Sequence, residues 1–279
     1  MTRRRGIEAQ SLTGLRRRLT SRDFAIIDGL ARHKVMTSAM LTAVYFPSAR
    51  AAATRLLTLT ELGVLARDLL PSSGAHRYTL GWHGQVIWAL GHGQKPPSKT
   101  TAELASHQVT FSAQLAHKEA VNAFFARLHR AGPAAGARVS EWLSEAEAAA
   151  EFDGLRPDAA GTLTWDGGRR LRLWFEHDRG TETLGRLIAK LERYPHRRSL
   201  HLAADRVILV EVCGERRLAA LARTALDLGD LRGAAILYQS IDPVTSRTDT
   251  SQQLFEEGRW HLLGGTGTKV SLADLAAKR

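Results

Sequence analysis

The feature that most constrains the fold is a regular alternation of strand and helix patterns after residue 103. A long helical pattern at 103–130 precedes three strand patterns, and the turn Asp166-Gly167-Gly168 joins the last two. Such a turn between β-leaning runs is a strong hairpin signal. Helix, strand, helix and strand patterns follow, at 181–194, 206–213, 215–227 and 233–239. This order predicts an α/β sandwich around a mixed central sheet.

Residues 18–92 have the pattern of a winged helix-turn-helix. Three short helical patterns, the first capped by Ser21, precede two β-leaning runs that are separated by Pro71-Ser72-Ser73-Gly74. The helices are expected at 22–32, 37–45 and 48–62, and the strands at 64–70 and 76–80. In a winged helix the third helix lies in the major groove and the hairpin follows the DNA backbone.

The net charge of +11 is concentrated in the N-terminal third. Residues 1–99 contain 15 Lys and Arg against 5 Asp and Glu, and so carry +10 of it. A local positive excess on such a module favours double-stranded DNA as its partner. A winged helix that binds protein is the alternative. The candidate DNA contacts are Arg16, Arg17, Arg18, Arg50, Arg55, Arg67 and Arg77.

The remaining segments give the expected domain organisation. Residues 1–17 form a basic arm, the Gly/Pro-containing stretch 93–102 is a linker, 103–263 is the α/β domain, and 264–279 is a flexible tail. No run of about 20 apolar residues and no secretory signal is present, so we expect a cytoplasmic protein without a membrane partner.

Acidic residues stand at the ends of two adjacent predicted strands. Asp158 begins the first arm of the hairpin, and Glu176 and Asp178 end the second arm. Glu176 and Asp178 are two residues apart, so they face the same side of a strand, with His177 on the other side. Their oxygens suit Mg²⁺ or Mn²⁺, and Lys190 on the next helix, in line with Tyr194, suits a scissile phosphate.

Each of these residues also has a simpler interpretation. Asp158 and Glu176 are then solvated strand ends, and Lys190 is a surface salt-bridge partner. We expect His177 to be a surface or flanking residue, and Glu119 to be at most an outer-shell carboxylate.

The acidic segments resemble the PD-(D/E)xK nuclease superfamily. The resemblance rests on Pro157-Asp158 and Glu176-His177-Asp178, where Asp178 stands at the usual lysine position and Lys190 is the relocated lysine. It implies a restriction-endonuclease-like fold, catalytic roles for Asp158, Glu176, Asp178 and Lys190, and a metal held by the three carboxylates.

Over roughly residues 15–240 the chain resembles the replication-relaxation family of plasmid and mobile-element proteins. The matching segments are Leu19-Thr20-Ser21-Arg22-Asp23, Tyr45-Phe46-Pro47-Ser48, Leu155-Arg156-Pro157-Asp158 and Phe175 to Glu182, with Lys190 and Tyr194. The resemblance implies a role in plasmid replication or in relaxation of plasmid DNA. A homodimer, and complexes with plasmid replication or transfer proteins, are compatible with it.

The expected function is therefore that of a DNA-binding protein with a metal-dependent DNA nickase or endonuclease site. Two alternatives stay open. One is a non-catalytic replication protein that uses the nuclease fold for DNA binding or dimerisation. The other is a transcriptional regulator, for which the winged helix alone suffices.

Overall fold

The computed structural model describes residues 14–69, 76–152, 154–194, 206–227, 236–241, 254–255, 257–263 and 269–277. It is a mixed α/β structure in which the chain divides into two compact units, 1–126 and 127–279. No helix in the described ranges combines the length and the apolar character needed to span a bilayer.

The first unit contains helices around a small sheet. Its elements are α1 (Ser21–His33), β1 (Met36–Thr37), α2 (Ser38–Tyr45), α3 (Ala49–Glu61), β2 (Leu65–Leu69), β3 (His76–Leu80), α4 (Trp82–Gly91), α5 (Lys99–Thr110) and α6 (Leu115–Ala131), whose last turns belong to the second unit. The strands form an antiparallel sheet in the order β1-β3-β2. The three expected helices and the hairpin arms are confirmed, while the expected turn 71–74 lies outside the described residues.

Polar caps fix where these helices begin. Thr20, and not Ser21 as expected, caps α1, because its hydroxyl accepts from the Asp23 N–H while the Asp23 carboxylate accepts from the Thr20 N–H. Thr37 caps α2 and Ser48 caps α3. Gly63 follows α3 at φ +67°, a left-handed conformation that favours glycine.

The expectation of one continuous helix at 103–130 is wrong. Two helices, α5 and α6, occupy this region, and the chain leaves the helical path between Phe111 and Gln114. No proline or glycine marks this break in the sequence. The segment expected as a linker, 93–102, also includes the first turn of α5, which Ser98 caps.

The second unit is built on an open mixed sheet. Its elements are β4 (Ala137–Ser144), α7 (Glu145–Ala149), β5 (Ala159–Trp165), β6 (Arg170–Asp178), α8 (Leu184–Glu192), β7 (Arg206–Cys213), α9 (Glu215–Asp227), β8 (Ile236–Ile241), β9 (Trp260–Leu262), β10 (Lys269–Val270) and α10 (Leu272–Ala277). Within the described residues the strand order is β10-β9-β8-β7-β6-β5-β4. β6, β7 and β8 are parallel neighbours, and the other pairs are antiparallel.

Alternation along β6 and β7 sends successive side chains to opposite faces of this sheet. Trp174, Ile208 and Val210 pack with Leu187 and Leu191 of α8 in one buried cluster. Glu176 and Asp178 follow Trp174 at intervals of two, so they lie on this same face. The α8 stripe therefore covers the end of β6 that carries the two acidic residues.

The C-terminal part differs from the expectation. The segment 264–279 was expected to be a flexible tail, yet its described part, 269–277, contains β10 and α10. These elements and β9 are too short to show a periodic pattern. The expected strand at 233–239 is found at 236–241, and the expected helix at 181–194 is shorter, at 184–192.

Candidate active site

Asp158 is fixed beside the end of β6 by two hydrogen bonds. Its N–H donates to the Phe175 carbonyl at 3.1 Å, and its Oδ2 accepts from the His177 N–H at 2.8 Å. The backbone on both sides of Glu176 therefore holds Asp158. This is the position expected for a carboxylate at the start of the first hairpin arm.

Glu176 lies at the centre of the candidate site and is 3% exposed. Its Oε2 contacts Lys190 Nζ, and its Oε1 accepts a hydrogen bond from the Tyr194 hydroxyl at 2.6 Å. Lys190 Nζ is also 3.9 Å from Asp158 Oδ1. The structure thus brings together three of the four predicted residues, with Tyr194 as a fourth member.

Burial and charge oppose the ionisation of Glu176. Burial raises its pKa, the neighbouring Asp158 raises it further, and together they outweigh Lys190 and bring it to about 8. Burial lowers the pKa of Lys190, but the carboxylates of Glu176 and Asp158 outweigh burial and raise it. Two carboxyl groups thus share one ammonium group, and at neutral pH Glu176 is mainly protonated.

Asp178 is on the expected face but is held by α9. Arg217 Nε donates to its Oδ2 at 2.6 Å, and Arg217 Nη2 is 3.1 Å from its Oδ1. The Gly180 N–H also donates to Oδ1, at 2.9 Å, and Arg217 Nη2 reaches the Glu182 carbonyl at 2.8 Å. This bidentate ion pair joins the end of β6 to α9.

A second polar cluster lies on the opposite face of the same sheet. Glu211 Oε1 accepts from Arg127 Nη2 at 2.5 Å and from Gln239 Nε2 at 2.9 Å, and its Oε2 is 3.6 Å from His177 Nδ1. His177 is only 6% exposed, so the expectation of a surface histidine is wrong. Sequence reasoning missed this cluster, although Glu211 is the only charged residue in the apolar run 207–213.

The charges of this second cluster support one another. Burial raises the pKa of Glu211, but Arg127 and His177 outweigh it, so the pKa lies below its ordinary value. Burial lowers the pKa of His177, but the neighbouring Cys213 and Glu211 side chains outweigh burial and raise it to about 9. The cluster is therefore a compensated ion network within the sheet.

The candidate DNA contacts divide into two groups. Arg16, Arg17, Arg18, Arg50 and Arg67 are exposed. Arg55 instead donates to both oxygens of buried Asp23, at 2.9 and 2.5 Å, and to the Arg18 carbonyl at 3.0 Å. Arg77 donates to both oxygens of Glu119, at 2.6 and 2.9 Å, which gives Glu119 a partner outside the candidate site.

The donor set of the site suits a hard cation in type. Asp158 and Glu176 offer carboxylate oxygens, which Mg²⁺ and Mn²⁺ prefer. Across the described ranges no group of three or more His, Cys, Asp or Glu side chains is arranged to hold a metal. A metal at this site would therefore rest on two carboxylates, with further ligands from water or substrate.

A family model described as replication-relaxation matches residues 28–207, which is more than half of the chain. The chain belongs to the replication-relaxation family. The matched range contains Asp158, Glu176, Asp178 and Lys190, and the family indicates a role in replication or relaxation of plasmid or mobile-element DNA. Comparisons with curated proteins and with solved structures give no significant match.

Proposed function

We propose that this protein binds double-stranded DNA of a plasmid or mobile element and nicks or cleaves it at the Asp158, Glu176 and Lys190 group. One observation carries the proposal: Lys190 of α8 lies against Glu176 of β6 and 3.9 Å from Asp158, the residue just before β5. The arrangement is similar to a PD-(D/E)xK site whose lysine has moved to the following helix.

Each residue of the site has a role in this proposal. Asp158 and Glu176 would hold Mg²⁺ or Mn²⁺, and the bound ion would polarise the phosphodiester and lower the pKa of a water molecule. Lys190, which the two carboxylates hold in place, provides positive charge for the scissile phosphate. Tyr194 orients Glu176 through its 2.6 Å hydrogen bond. Asp178, which is paired with Arg217, would assist metal binding as a ligand or through a water molecule.

The first unit is proposed to grip the DNA as a winged helix. The order α1, β1, α2, α3, β2, β3 and the antiparallel pairing of β2 with β3 support this. Exposed Arg50 on α3, Arg67 on β2 and the segment Arg16–Arg18 are the phosphate contacts. Arg55 acts differently, because its contacts with Asp23 and the Arg18 carbonyl position α3 against α1 and the arginine segment.

A non-catalytic role is the second candidate, and one observation favours it. Both oxygens of Glu176 already have protein donors, and Asp178 is paired with Arg217. In that case the cluster stabilises the C-terminal end of β6, and the nuclease-like fold serves DNA binding or dimerisation. This candidate predicts that calorimetry detects no Mn²⁺ binding and that replacement of Asp158 leaves plasmid maintenance unchanged.

The proposal is tested by incubating supercoiled plasmid DNA with the full chain in Mg²⁺ or Mn²⁺ and measuring the open-circular and linear products. We expect metal-dependent cleavage that an Asp158→Ala, Glu176→Ala double variant lacks. The matched control is Asp166→Ala, an exposed carboxylate in the turn between β5 and β6, which should cleave as the wild type does. Cleavage at the wild-type rate by the double variant would overturn the proposal.

A further inference from the structure

A cavity of about 270 Å³ lies within the first unit, between α1, β3, α4 and α5. Its apolar walls include Leu30, Trp88 and Val109, and its polar lining includes Lys34, Thr79 and Lys95. Ligand pockets in proteins commonly measure roughly 300–1,000 Å³, so this cavity suits a compact ligand. The proposed functions of Asp158, Glu176 and the exposed arginines do not use it.

Lys34, at the cavity edge, has a strained backbone. Its φ of 71° and ψ of −45° lie where side-chain-bearing residues are rare, and the Val35 N–H donates to the His33 carbonyl at 2.9 Å to close a γ-turn. Asn122 of α6, only 4% exposed, donates to both the His33 and Val35 carbonyls, at 3.1 and 2.7 Å. The buried amide therefore fixes the strained turn around Lys34.

The Lys34 ammonium donates to the Ala31 carbonyl at 2.7 Å, which ties its side chain to the last turn of α1. Glycine would adopt a positive φ without strain, and it is the usual residue just after a helix. Strain that the surrounding structure holds in place is typical of binding and catalytic positions. Lys34 therefore combines a strained backbone with an ammonium group that lines the cavity and uses one of its three donors on Ala31.

The polar chemistry of the lining favours an anion. Lys34 and Lys95 are the only charged side chains among the described residues that line the cavity. The Thr79 hydroxyl on β3 is 3% exposed and has no hydrogen-bond partner in the described part of the chain. A buried hydroxyl without a partner costs stability that a ligand oxygen could recover. Trp88 offers an apolar surface for the rest of such a ligand.

We propose that this cavity binds a small organic anion, with a carboxylate or a phosphate monoester joined to a compact apolar body. Lys34 and Lys95 contact the anionic group, Thr79 donates a hydrogen bond, and the apolar body lies against Trp88 and Leu30. The site is independent of metal and DNA, so failure of the nuclease proposal leaves it unaffected.

The test is isothermal titration calorimetry of the full chain with three probes that share a naphthalene ring. These are 2-naphthoate, 1-naphthyl phosphate and the neutral 2-naphthamide. We expect one-to-one saturable binding of at least one anion, and binding of the amide at least about tenfold weaker, as expected from loss of a charge-assisted contact. The preferred anion shows whether the cavity favours a carboxylate or a phosphate ester.

Variants separate binding from folding. Lys34→Gly should have a Tm equal to or above that of the wild type, because it removes the strain, yet bind the anion at least about tenfold more weakly. Thr79→Val, a change of similar shape, should weaken binding as well. Lys99→Met, an exposed lysine on α5 outside the lining, should bind as the wild type does. The proposal is overturned if neither anion saturates the protein, if the amide binds equally well, or if Lys34→Gly retains full affinity.

Discussion

The two faces of the central sheet carry buried carboxylates in opposite electrostatic situations. On the α8 face, Glu176 and Asp158 share the single ammonium of Lys190, and the pKa of Glu176 is raised to about 8, first by burial and then by Asp158. On the other face, Glu211 has Arg127 and His177 around it, and its pKa is lowered in spite of complete burial. Glu176 and Glu211 lie on neighbouring strands, and burial is similar for both.

The difference shows that burial alone does not determine the pKa of a carboxylate in this sheet. What separates the two residues is the balance of nearby charge, because Glu211 has both Arg127 and His177 beside it while Glu176 shares Lys190 with Asp158. The same distinction divides the arginines of the first unit into exposed ones and ones that are paired with carboxylates.

Glu211→Gln should strongly destabilise the second unit. Arg127 and His177 would then lack their buried counter-charge, and breaking such a network costs about 3–5 kcal/mol. Urea denaturation, followed by circular dichroism, measures the change in the free energy of unfolding of the second unit. If Glu211→Gln lowers the free energy of unfolding by less than an ordinary surface substitution does, Glu211 is not the centre of a compensated network.

Asp23 provides a second compensated carboxylate, and its pH dependence has a definite sign. Burial raises its pKa, but hydrogen bonds from Arg55 and Thr20 outweigh burial and bring it below the ordinary 3.8. Because the pKa of Asp23 is lower in the folded state than in the unfolded state, its ionised carboxylate stabilises the fold above about pH 4. This contribution is lost as the pH falls from about 4 through the lower folded-state pKa. We therefore measure urea denaturation at several pH values between about pH 5 and pH 3. The free energy of unfolding should fall more steeply with falling pH in the wild type than in Asp23→Asn.

The control for this pH series is Glu61→Gln, an exposed carboxylate at the end of α3. Its free energy of unfolding should fall with pH along the same slope as that of the wild type. If Asp23→Asn also follows that slope, the Asp23–Arg55 pair does not contribute to stability in the way the contacts indicate.

Glu176→Gln should cost little stability by comparison with Glu211→Gln. The neutral amide keeps an acceptor for Tyr194 and removes the repulsion with Asp158, so we expect a loss of about 1 kcal/mol or less. The same urea experiment measures it. A cost equal to that of Glu211→Gln would remove the contrast between the two faces.

Substitutions of exposed and of carboxylate-paired arginines should have small and different effects on DNA binding and on Tm. Arg50→Ala should lower the slope of log affinity for duplex DNA against log salt by about 0.9, the contribution of one phosphate contact, with no change in Tm. Arg55→Met should lower the Tm and leave the slope unchanged. Fluorescence anisotropy over a salt series gives the slopes. The reverse outcome would make Arg55 the DNA contact and Arg50 the structural one.

Local patterns predicted much of the framework of the second unit. The turn Asp166-Gly167-Gly168 and the β-leaning runs around it predicted the β5–β6 hairpin, and the apolar run 207–213 predicted β7. Once these elements are paired, alternation along the strand determines the faces of Glu176 and His177. These local features predicted the positions of Asp158 and Glu176, while Lys190 was expected from its place on the following helix and from the family resemblance.

Contacts between distant segments were not predictable in the same way. Arg217 is 39 residues from Asp178, and Arg127 is 84 residues from Glu211, so neither pairing leaves a local pattern. The pairing of Arg55 with Asp23 is of the same kind, 32 residues apart. A glutamate in an otherwise apolar strand was the one available signal, since a buried charge requires partners.

We expect the Asp158 and Glu176 pair to bind a divalent cation and Glu211 not to bind one. Anomalous diffraction at the manganese edge, from crystals soaked in Mn²⁺, locates such an ion. The expected result is a peak in contact with the carboxylates of Asp158 and Glu176, absent from a Glu176→Gln crystal, and no peak beside Glu211. A wild-type crystal without a peak at Asp158 and Glu176, or with a peak at Glu211, would contradict it.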